Sequence, residues 1–246
     1  MKLDSKFFSD RGLNLQEIIN LSDLPQLILD LLEPAIDTKA EYSQLIVLGH
    51  GGKDLWHHIN QQEPAIKNPI DTYSLKLVEE YFSSLTTNIN QQIIYPGKFI
   101  LDLQVLGKMI GWHFDSPLKI GINPKWGTWF AYRVVMLANT TFEPTLTKDD
   151  LQENLDNKDS SNHLNDNSPC LSCSTEECIS NCPAQVVSRE QYDLKGCLNF
   201  RKQTESPCKS RCIARMNCPA GKSHQYSLEQ IQYHYGLSKK FIGQCE

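Results

Sequence analysis

The amino-acid sequence predicts an α+β protein that ends in a small cysteine-rich module. Two observations lead to this class. Over the first 145 residues, segments with apolar residues at helical spacing alternate with short apolar runs of the kind that form buried strands. Eight of the nine cysteines then lie between positions 170 and 218. We therefore predict an α+β domain over residues 1–145, a polar linker over 146–168, and the cysteine module with a C-terminal helix over 169–246.

Composition is typical of an ordinary globular protein. With 246 residues and 40% hydrophobic content, the chain is long enough for a core and a small appended unit. A net charge of -5 argues against broad contact with nucleic acid, whose phosphates favour a basic surface. The first residues lack the apolar run of a signal peptide, and no segment approaches the roughly 20 apolar residues of a membrane span. We expect a cytoplasmic protein without membrane contact, in which crowded cysteines are metal ligands before they are disulfides.

The first half of the α+β domain is predicted to hold two short helices and a strand. Apolar residues recur at helical spacing over 13–32, and Pro25 stands where the second helix would begin. Residues 44–48 form an apolar run typical of a buried strand, which ends in the glycine-rich turn 49–53. Such a turn is either a plain strand-to-helix connection or a cradle for a phosphate. It lacks the Gly-Lys-Ser/Thr ending of a P-loop, since an aspartate follows its lysine.

The second half of the domain combines helices with extended segments. We predict a helix over 68–85, a strand over 92–95, a helix over 99–112 and extended segments over 118–123 and 127–138.

The last extended segment carries a charge in its apolar middle, Arg133. An arginine inside a buried strand needs a partner, because an unpaired buried charge is costly. It either meets an anionic group of a ligand or pairs with a carboxylate inside the protein. The residues alone leave both open.

The composition then turns polar and free of aromatic residues, so the segment 146–168 cannot bury enough apolar surface to order itself and is predicted to be a mobile linker or insertion. Beyond the cysteines, residues 227–235 form an amphipathic segment. Ser227 is a plausible N-cap, and Ile231 and Tyr235 share one face. A final helix is therefore expected.

Cysteine spacing predicts bound metal. The eight cysteines form two groups, each of which closes on a Cys-Pro pair, at 182–183 and at 218–219. This is the layout of proteins with two iron-sulfur clusters, in which one Cys-Pro usually ligates the other group's cluster. Zinc held by four thiolates is an alternative, because Cys-x-x-Cys pairs serve it equally well, and redox disulfides are another. Cys245 is predicted to be a free thiol.

By analogy with two-cluster ferredoxins, each cluster takes ligands from both groups. The analogy assigns to one cluster Cys170, Cys173, Cys178 and Cys218, and to the other Cys182, Cys197, Cys208 and Cys212. The clusters are expected to be of the 4Fe-4S type. Four residues separate Cys173 from Cys178, and five separate Cys212 from Cys218. These enlarged spacings leave the number and type of clusters open.

Two stretches of the sequence resemble known families. Residues 121–137, Gly-Ile-Asn-Pro-Lys-Trp-Gly-Thr-Trp-Phe-Ala-Tyr-Arg-Val-Val-Met-Leu, resemble the segment of CblC-type cobalamin-processing proteins that runs through Trp-Phe-Ala-x-Arg into an apolar strand. Asn68-Pro-Ile-Asp71 is similar to the start of that family's preceding helix. The chain equally resembles epoxyqueuosine reductase, a cobalamin-dependent tRNA-modifying enzyme with two four-iron clusters. This resemblance rests on Gly111-Trp112, which is followed by a strand, a glycine turn, another strand and the cysteine module. Both belong to a wider group with a flavin-nitroreductase-like fold, which includes corrinoid reductive dehalogenases.

The resemblance implies a nitroreductase-like mixed sheet, flanked by helices, that binds a corrinoid or a flavin, and a ferredoxin-like module that delivers single electrons. For Arg133 it implies contact with the ligand or with a thiol cosubstrate. Trp112 and Trp129 are candidate pocket residues, with a role as core aromatics as the alternative. Tyr95 stands where epoxyqueuosine reductases carry a catalytic aspartate, and it is a further candidate cofactor contact. No residue is assigned a catalytic role.

The leading hypothesis is an oxidoreductase of the cobalamin-dependent reductase class. Two iron-sulfur clusters would pass electrons to a corrinoid, or to a flavin, for cobalamin processing or for reduction of an organic substrate such as epoxyqueuosine. A non-catalytic ferredoxin-like electron carrier and a zinc-stapled binding module are the alternatives. The expected partners are an external electron donor and a small-molecule or corrinoid ligand. The acidic net charge gives no support to tRNA as a partner.

Overall fold

The structure is a computed structural model that describes residues 1–36, 41–60, 68–87, 89–99, 101–156 and 168–242. Its residues divide into two units. The N-terminal unit comprises Met1–Trp112 and Phe130–His163, and the C-terminal unit comprises His113–Trp129 and Leu164–Glu246. The segment 113–129, which the sequence analysis placed in the α+β domain, thus packs with the cysteine-rich part of the chain.

The N-terminal unit is α+β, as predicted. Its strands are β1 (Leu15–Asn20), β2 (Gln44–Gly51), β3 (Gln91–Tyr95) and β4 (Phe130–Ala138). Its helices are α1 (Ser5–Ser9), α2 (Gln26–Leu32), α3 (Asp54–Asn60), α4 (Pro69–Ser83), α5 (Leu103–Met109) and α6 (Lys148–Asp156). Short 3-10 turns lie at Leu21–Asp23 and Glu33–Ala35.

The four strands form one sheet in the order β1-β2-β4-β3, and every neighbouring pair is antiparallel. The prediction of a mixed sheet is therefore wrong for the described residues. The reason is topological: β2 and β3 run in the same direction, but β4 is inserted between them, so no parallel pair forms. All eight residues of β2 are buried, which means that both faces of the sheet are covered at its centre.

The first predicted helix is also wrong, because its apolar residues belong to strand β1. The buried Ile18 and Ile19 pair with Ile46 and Leu45 of β2. β-branched residues suit such pairing, and a tertiary partner overrides a local helical period. The second predicted helix is confirmed as α2, with Pro25 at its N-cap.

The glycine-rich turn after β2 is a plain strand-to-helix connection. Asn14, which directly precedes β1, binds the backbone of this turn. Its Oδ1 accepts a hydrogen bond from the Gly51 N–H at 2.7 Å, and its Nδ2 donates to the Gly51 carbonyl at 3.0 Å. This N–H is occupied within the protein, so it does not face an anion.

Part of the predicted linker is ordered. Its residues form α6, whose Leu151 is fully buried, and Asn154 donates a hydrogen bond to the carbonyl of Met109 at 3.0 Å. The buried Leu151 and the side-chain amide of Asn154 thus dock a largely polar helix. Residues 157–167 of the predicted linker lie outside the described residues.

The C-terminal unit is built from short helices joined by long loops. They are α7 (Glu177–Ser180), α8 (Leu194–Lys202), α9 (Ile213–Asn217) and α10 (Leu228–Ile242), with a 3-10 turn at Lys222–His224. The extended segment predicted over 118–123 forms only two isolated bridges, Phe114 with Ile122 and Asn123 with Gly127. In the part of the chain that the structure describes, no helix has the length and apolar character needed to cross a membrane.

Strand β1 of the N-terminal sheet carries a half-buried carboxylate, Glu17. Glu17 accepts a hydrogen bond from Nε1 of Trp112 at 3.0 Å and another from the hydroxyl of Thr145. Burial raises the pKa of Glu17 above its usual 4.5, while the two hydrogen bonds act in the opposite direction. The folded state therefore holds the Glu17 proton more tightly than the unfolded state does.

We expect Glu17→Gln to raise the free energy of unfolding at pH 7.5 by about 1 kcal/mol. The stability that Glu17 contributes is fully present below pH 4.5 and is lost as the pH rises through the raised pKa, whereas glutamine does not ionise. Urea unfolding followed by circular dichroism at pH 4.5 and 7.5 measures the difference. The exposed Glu79→Gln is the control, and an effect of Glu17→Gln that is equal at both pH values would contradict the explanation.

Candidate functional site

Cys170, Cys173, Cys178 and Cys218 form one set of neighbouring thiols, which we call the first set. Burial, with smaller contributions from the charges of the other three thiols, raises the pKa of Cys170 to about 11. Burial and the Cys173 charge likewise raise the pKa of Cys178 and of Cys218. Cys218 therefore lies with cysteines that are far from it in the sequence.

The remaining four cysteines form the second set: Cys182, Cys197, Cys208 and Cys212. Burial raises the pKa of Cys208, and the charges of the other three thiols add to the rise. All four line one cavity of about 90 Å³, whose other walls are largely apolar. The cavity gives the second set a common space that the thiols face.

The two sets are those that the two-cluster analogy assigns, with Cys182 and Cys218 exchanged between the sequence groups. All eight cysteines are free of disulfides. Among the described residues, no group of three or more His, Cys, Asp or Glu is arranged to hold a metal ion. The sets are thus neighbourhoods of thiols and not closed coordination shells. Cys245 lies outside the described residues.

A close backbone contact positions Cys218. Gly127 and Gly221 both have left-handed backbone angles, with φ of 57° and 64°. A Cβ on Gly127 would overlap the carbonyl of Ala220, and one on Gly221 would overlap the backbone of Trp126. Only glycine permits this approach, so the 126–128 loop fixes the chain directly after Cys218.

Arginine side chains fasten the loops that carry the thiols. Arg189 donates to the carbonyl of Cys173 at 3.0 Å and also pairs with the carboxylate of Glu176. Arg215 donates to Oγ1 and the carbonyl of Thr128, and its guanidinium lies 4.4 Å from the ring centroid of Trp129. These bonds tie the cysteine loops to each other and to the 113–129 segment within the C-terminal unit.

Arg133 lies at an irregularity in the N-terminal sheet. Leu48 pairs with Val134 and Gly49 with Tyr132, so Arg133 is an extra residue in β4. A bulge of this kind re-aims a side chain out of the regular ladder. Its Nε donates to Nδ1 of His50 at 3.0 Å, and both side chains are buried.

The partner of Arg133 is an imidazole and not a carboxylate. A histidine that accepts at Nδ1 is neutral and carries its proton on Nε2. No carboxylate of the described residues lies within ion-pair distance of Arg133. The sequence left two partners open for Arg133, an anionic ligand group and a carboxylate inside the protein. Among the described residues, the carboxylate is not found. The positive charge of Arg133 is buried and only hydrogen-bonded.

Tyr95 lies close enough to Arg133 for the charge of the guanidinium to affect the pKa of its hydroxyl. Burial raises the pKa of the Tyr95 hydroxyl, the Arg133 charge lowers it and the Asp71 charge raises it. The net rise keeps the phenol protonated at neutral pH, so Tyr95 is a poor proton donor in catalysis.

The two tryptophans of the predicted site lie in different units. Trp112 belongs to the N-terminal unit, where it stacks on Tyr132 at 5.7 Å with an interplanar angle of 14°. Trp129 belongs to the C-terminal unit, is fully buried and packs against Tyr226 at 5.3 Å. Arg133 and Tyr95 are neighbours, whereas Trp129 forms part of a separate core.

Comparison with known proteins finds solved structures that match at low identity and with TM-scores below 0.5. No protein-family model matches the chain, and no curated protein matches it. It is similar to epoxyqueuosine reductase from Streptococcus thermophilus (13% identity, TM-score 0.48), with 89% of this chain and 65% of that chain covered. It is also similar to epoxyqueuosine reductase from Bacillus subtilis (14%, TM-score 0.49; 91% and 65% covered). A catabolic reductive dehalogenase is a third (13%, TM-score 0.47; 94% and 33% covered).

The chain spans about 65% of the length of the two reductases and a third of that of the dehalogenase. At this identity, the similarity follows the course of the backbone and assigns no activity, substrate or partner.

Sequence reasoning missed His50, Tyr192 and Tyr235 as members of the two sites. The hydroxyl of Tyr192 hydrogen-bonds to Cys197, and that of Tyr235 hydrogen-bonds to Cys212. His50 was noted only as part of the glycine-rich turn, and Tyr235 only as part of an apolar helix face. The position of Tyr192 between two cysteines was a usable signal, because a phenol there donates readily to sulfur.

We expect Gly221→Ala to destabilise the C-terminal unit by more than about 2 kcal/mol, because it adds a strained backbone angle to an overlap with the Trp126 backbone. Gly236→Ala is the matched control, since a Cβ there meets nothing within 4 Å and alanine favours the helix. Near-ultraviolet circular dichroism during urea unfolding measures both. Equal stability of the two variants would rule out the close contact.

Proposed function

We propose that the protein is a redox protein in which the eight cysteines hold two iron-sulfur clusters and the N-terminal unit holds the cofactor that receives their electrons. The observation that carries this proposal is the division of eight buried or half-buried thiols into two sets of four. Four thiolates from two parts of the chain are the donor set of a 4Fe-4S cluster. When bound, such clusters supply one-electron transfer.

The chemistry of the cysteines fits the clusters. Thiolate is the ligand that iron-sulfur clusters use, and the second set faces a common cavity with apolar walls. Binding requires the thiols to lose their protons, which burial opposes. Backbone N–H groups offset this cost: that of Arg215 donates to Sγ of Cys212 at 3.4 Å. The ferredoxin-like character of the module belongs to the same proposal.

Arg133 is the residue that we propose for the cofactor of the N-terminal unit. A corrinoid carries a phosphodiester in its nucleotide loop, and a flavin mononucleotide carries a phosphate, so either brings an anion to a buried guanidinium. His50 orients that guanidinium by accepting its Nε–H at 3.0 Å, which leaves its terminal nitrogens to bind the ligand. Tyr95 contributes a protonated hydroxyl on the same site.

The reaction proposed for this arrangement is reduction, with a corrinoid as the preferred cofactor and a flavin as the alternative. Its outcome would be processing of a corrinoid or reduction of an organic substrate such as epoxyqueuosine, with an external electron donor as partner. The protein's own residues bind and orient the cofactors, while the redox chemistry belongs to the cofactors. A location in the cytoplasm suits clusters that need reduced thiols.

We expect Cys182→Ala to disturb the cluster of Cys197, Cys208 and Cys212, and Cys218→Ala to disturb that of Cys170, Cys173 and Cys178. Wild-type protein purified anaerobically should contain about eight irons and eight sulfides, and each variant should lose or alter one cluster. Iron and sulfide analysis with electron paramagnetic resonance distinguishes the two signals. Loss of the cluster in the variant's own sequence group would refute the crossed sets.

Cys178→Ala and Cys208→Ala are the matched controls. Each of these cysteines belongs to the set that takes its other thiols mainly from the same sequence group, so each variant should disturb the cluster of its own group. Colourless protein with zinc and no sulfide would replace the redox proposal by a zinc-stapled module.

We expect Arg133→Gln to weaken binding of the cofactor by about tenfold or more, because a charge-assisted hydrogen bond contributes about 1.5–3 kcal/mol. Titration of the full chain with aquocobalamin and, separately, with flavin mononucleotide measures binding by absorbance. Arg133→Lys, which keeps the charge, should retain part of the affinity. Arg11→Lys, at the ring of Phe7 in the same unit, should bind like the wild type.

A wild-type protein that binds neither compound, yet contains both clusters, would be a ferredoxin-like electron carrier. Thermal unfolding of each variant separates loss of affinity from loss of fold.

A further inference from the structure

Two tyrosine hydroxyls contact the second set of cysteines. Tyr192 hydrogen-bonds to Cys197, and Tyr235 hydrogen-bonds to Cys212. Both side chains line the cavity that the four thiols share. A thiolate sulfur is an acceptor only, so each phenol is the donor.

The local structure holds both hydroxyls in place. Tyr235 lies on α10, and the guanidinium of Arg201 sits 4.8 Å from the centroid of its ring. Tyr192 forms an isolated bridge with Val187, closed by a hydrogen bond from Ser188 N–H to the carbonyl of Gln191 at 2.9 Å. The donors thus come from a helix and from a tight turn, and neither is a mobile surface group.

Phenols distinguish the second set from the first. Tyr192 and Tyr235 line the cavity of the second set, together with Arg201 and Arg211. In the first set, Sγ of Cys173 lies 3.8 Å from the hydroxyl of the exposed Thr175, and Arg189 donates to the carbonyl of Cys173 at 3.0 Å. Cations thus lie near both sets, and the two phenols belong to the second.

We propose that Tyr192 and Tyr235 are positioning residues that raise the reduction potential of the cluster held by the second set. This inference rests on the proposed function. Hydrogen bonds to the ligating sulfurs withdraw electron density, and they are stronger to the more negative, reduced cluster than to the oxidised one. The cluster of the second set is then easier to reduce with the two hydroxyls present than without them.

The test is a redox titration of the anaerobically purified full chain, monitored by electron paramagnetic resonance. Tyr235→Phe and Tyr192→Phe should each make reduction of one cluster about tenfold less favourable at a fixed potential, which equals about 59 mV for a one-electron couple. The midpoint of the other cluster and the iron and sulfide content should not change. Tyr233→Phe, on the same helix with its ring against His234, should leave both midpoints unchanged.

An intact second cluster whose midpoint is the same in Tyr192→Phe, Tyr235→Phe and the wild type would overturn the inference. A wild-type protein without iron and sulfide would instead overturn the proposed function, and metal analysis tells the two failures apart.

If the variants fail to assemble the cluster, a measurement on the wild-type protein still tests the inference. Resonance Raman spectra in H2O and D2O should show shifted Fe–S(Cys) stretching bands for the second cluster. Bands that do not change in D2O would overturn the inference.

Discussion

The contact between the backbone at Gly127 and the backbone at Ala220 and Gly221 is the constraint on which the cysteine-rich unit depends. Cys218 stands two residues before this contact, and its neighbours among the thiols are cysteines from the other sequence group. A chain that must bring one thiol back to a distant group needs a fixed point close to it. Two glycines with left-handed backbone angles provide this point, because any side chain there would separate the two segments.

The second constraint is that eight thiols are buried or half-buried. Burial raises the pKa of Cys212, and hydrogen bonds from the Arg215 N–H and the Tyr235 hydroxyl act in the opposite direction. The same groups that stabilise a thiolate also stabilise a metal-thiolate bond. If the unit binds clusters as proposed, they would add to its folding free energy, as structural metals do in other small domains.

In the N-terminal unit, the constraint is a buried cation, Arg133, inside an apolar sheet. Both edges of β4 are irregular near Arg133: Arg133 itself is an extra residue opposite β2, and Ile94 is an extra residue opposite β3. The neutral imidazole of His50 accepts one N–H without cancelling the charge. A carboxylate partner would have made this a structural ion pair. A buried guanidinium that keeps its charge is suited to an anionic group from outside the protein.

Local patterns in the sequence predicted a large part of this structure. The apolar runs of β2 and β4 and the proline at the start of α4 are features of neighbouring residues, and each was interpreted correctly as strand or helix. The helical spacing around Ile18 and Ile19 predicted a helix where the structure has strand β1. Their partners on β2 lie more than 25 residues away in the sequence, so a pattern read over neighbouring residues does not include them.

By itself, the sequence determined the α+β class, the position of the cysteine module and the thiols that belong to it. Tertiary structure decided the antiparallel order of the sheet, the packing of residues 113–129 with the C-terminal unit, and the contacts of Arg133 with His50 and of Tyr235 with Cys212. The physical reason is that composition and periodicity act over a few residues, whereas these contacts join segments that only the folded chain brings together.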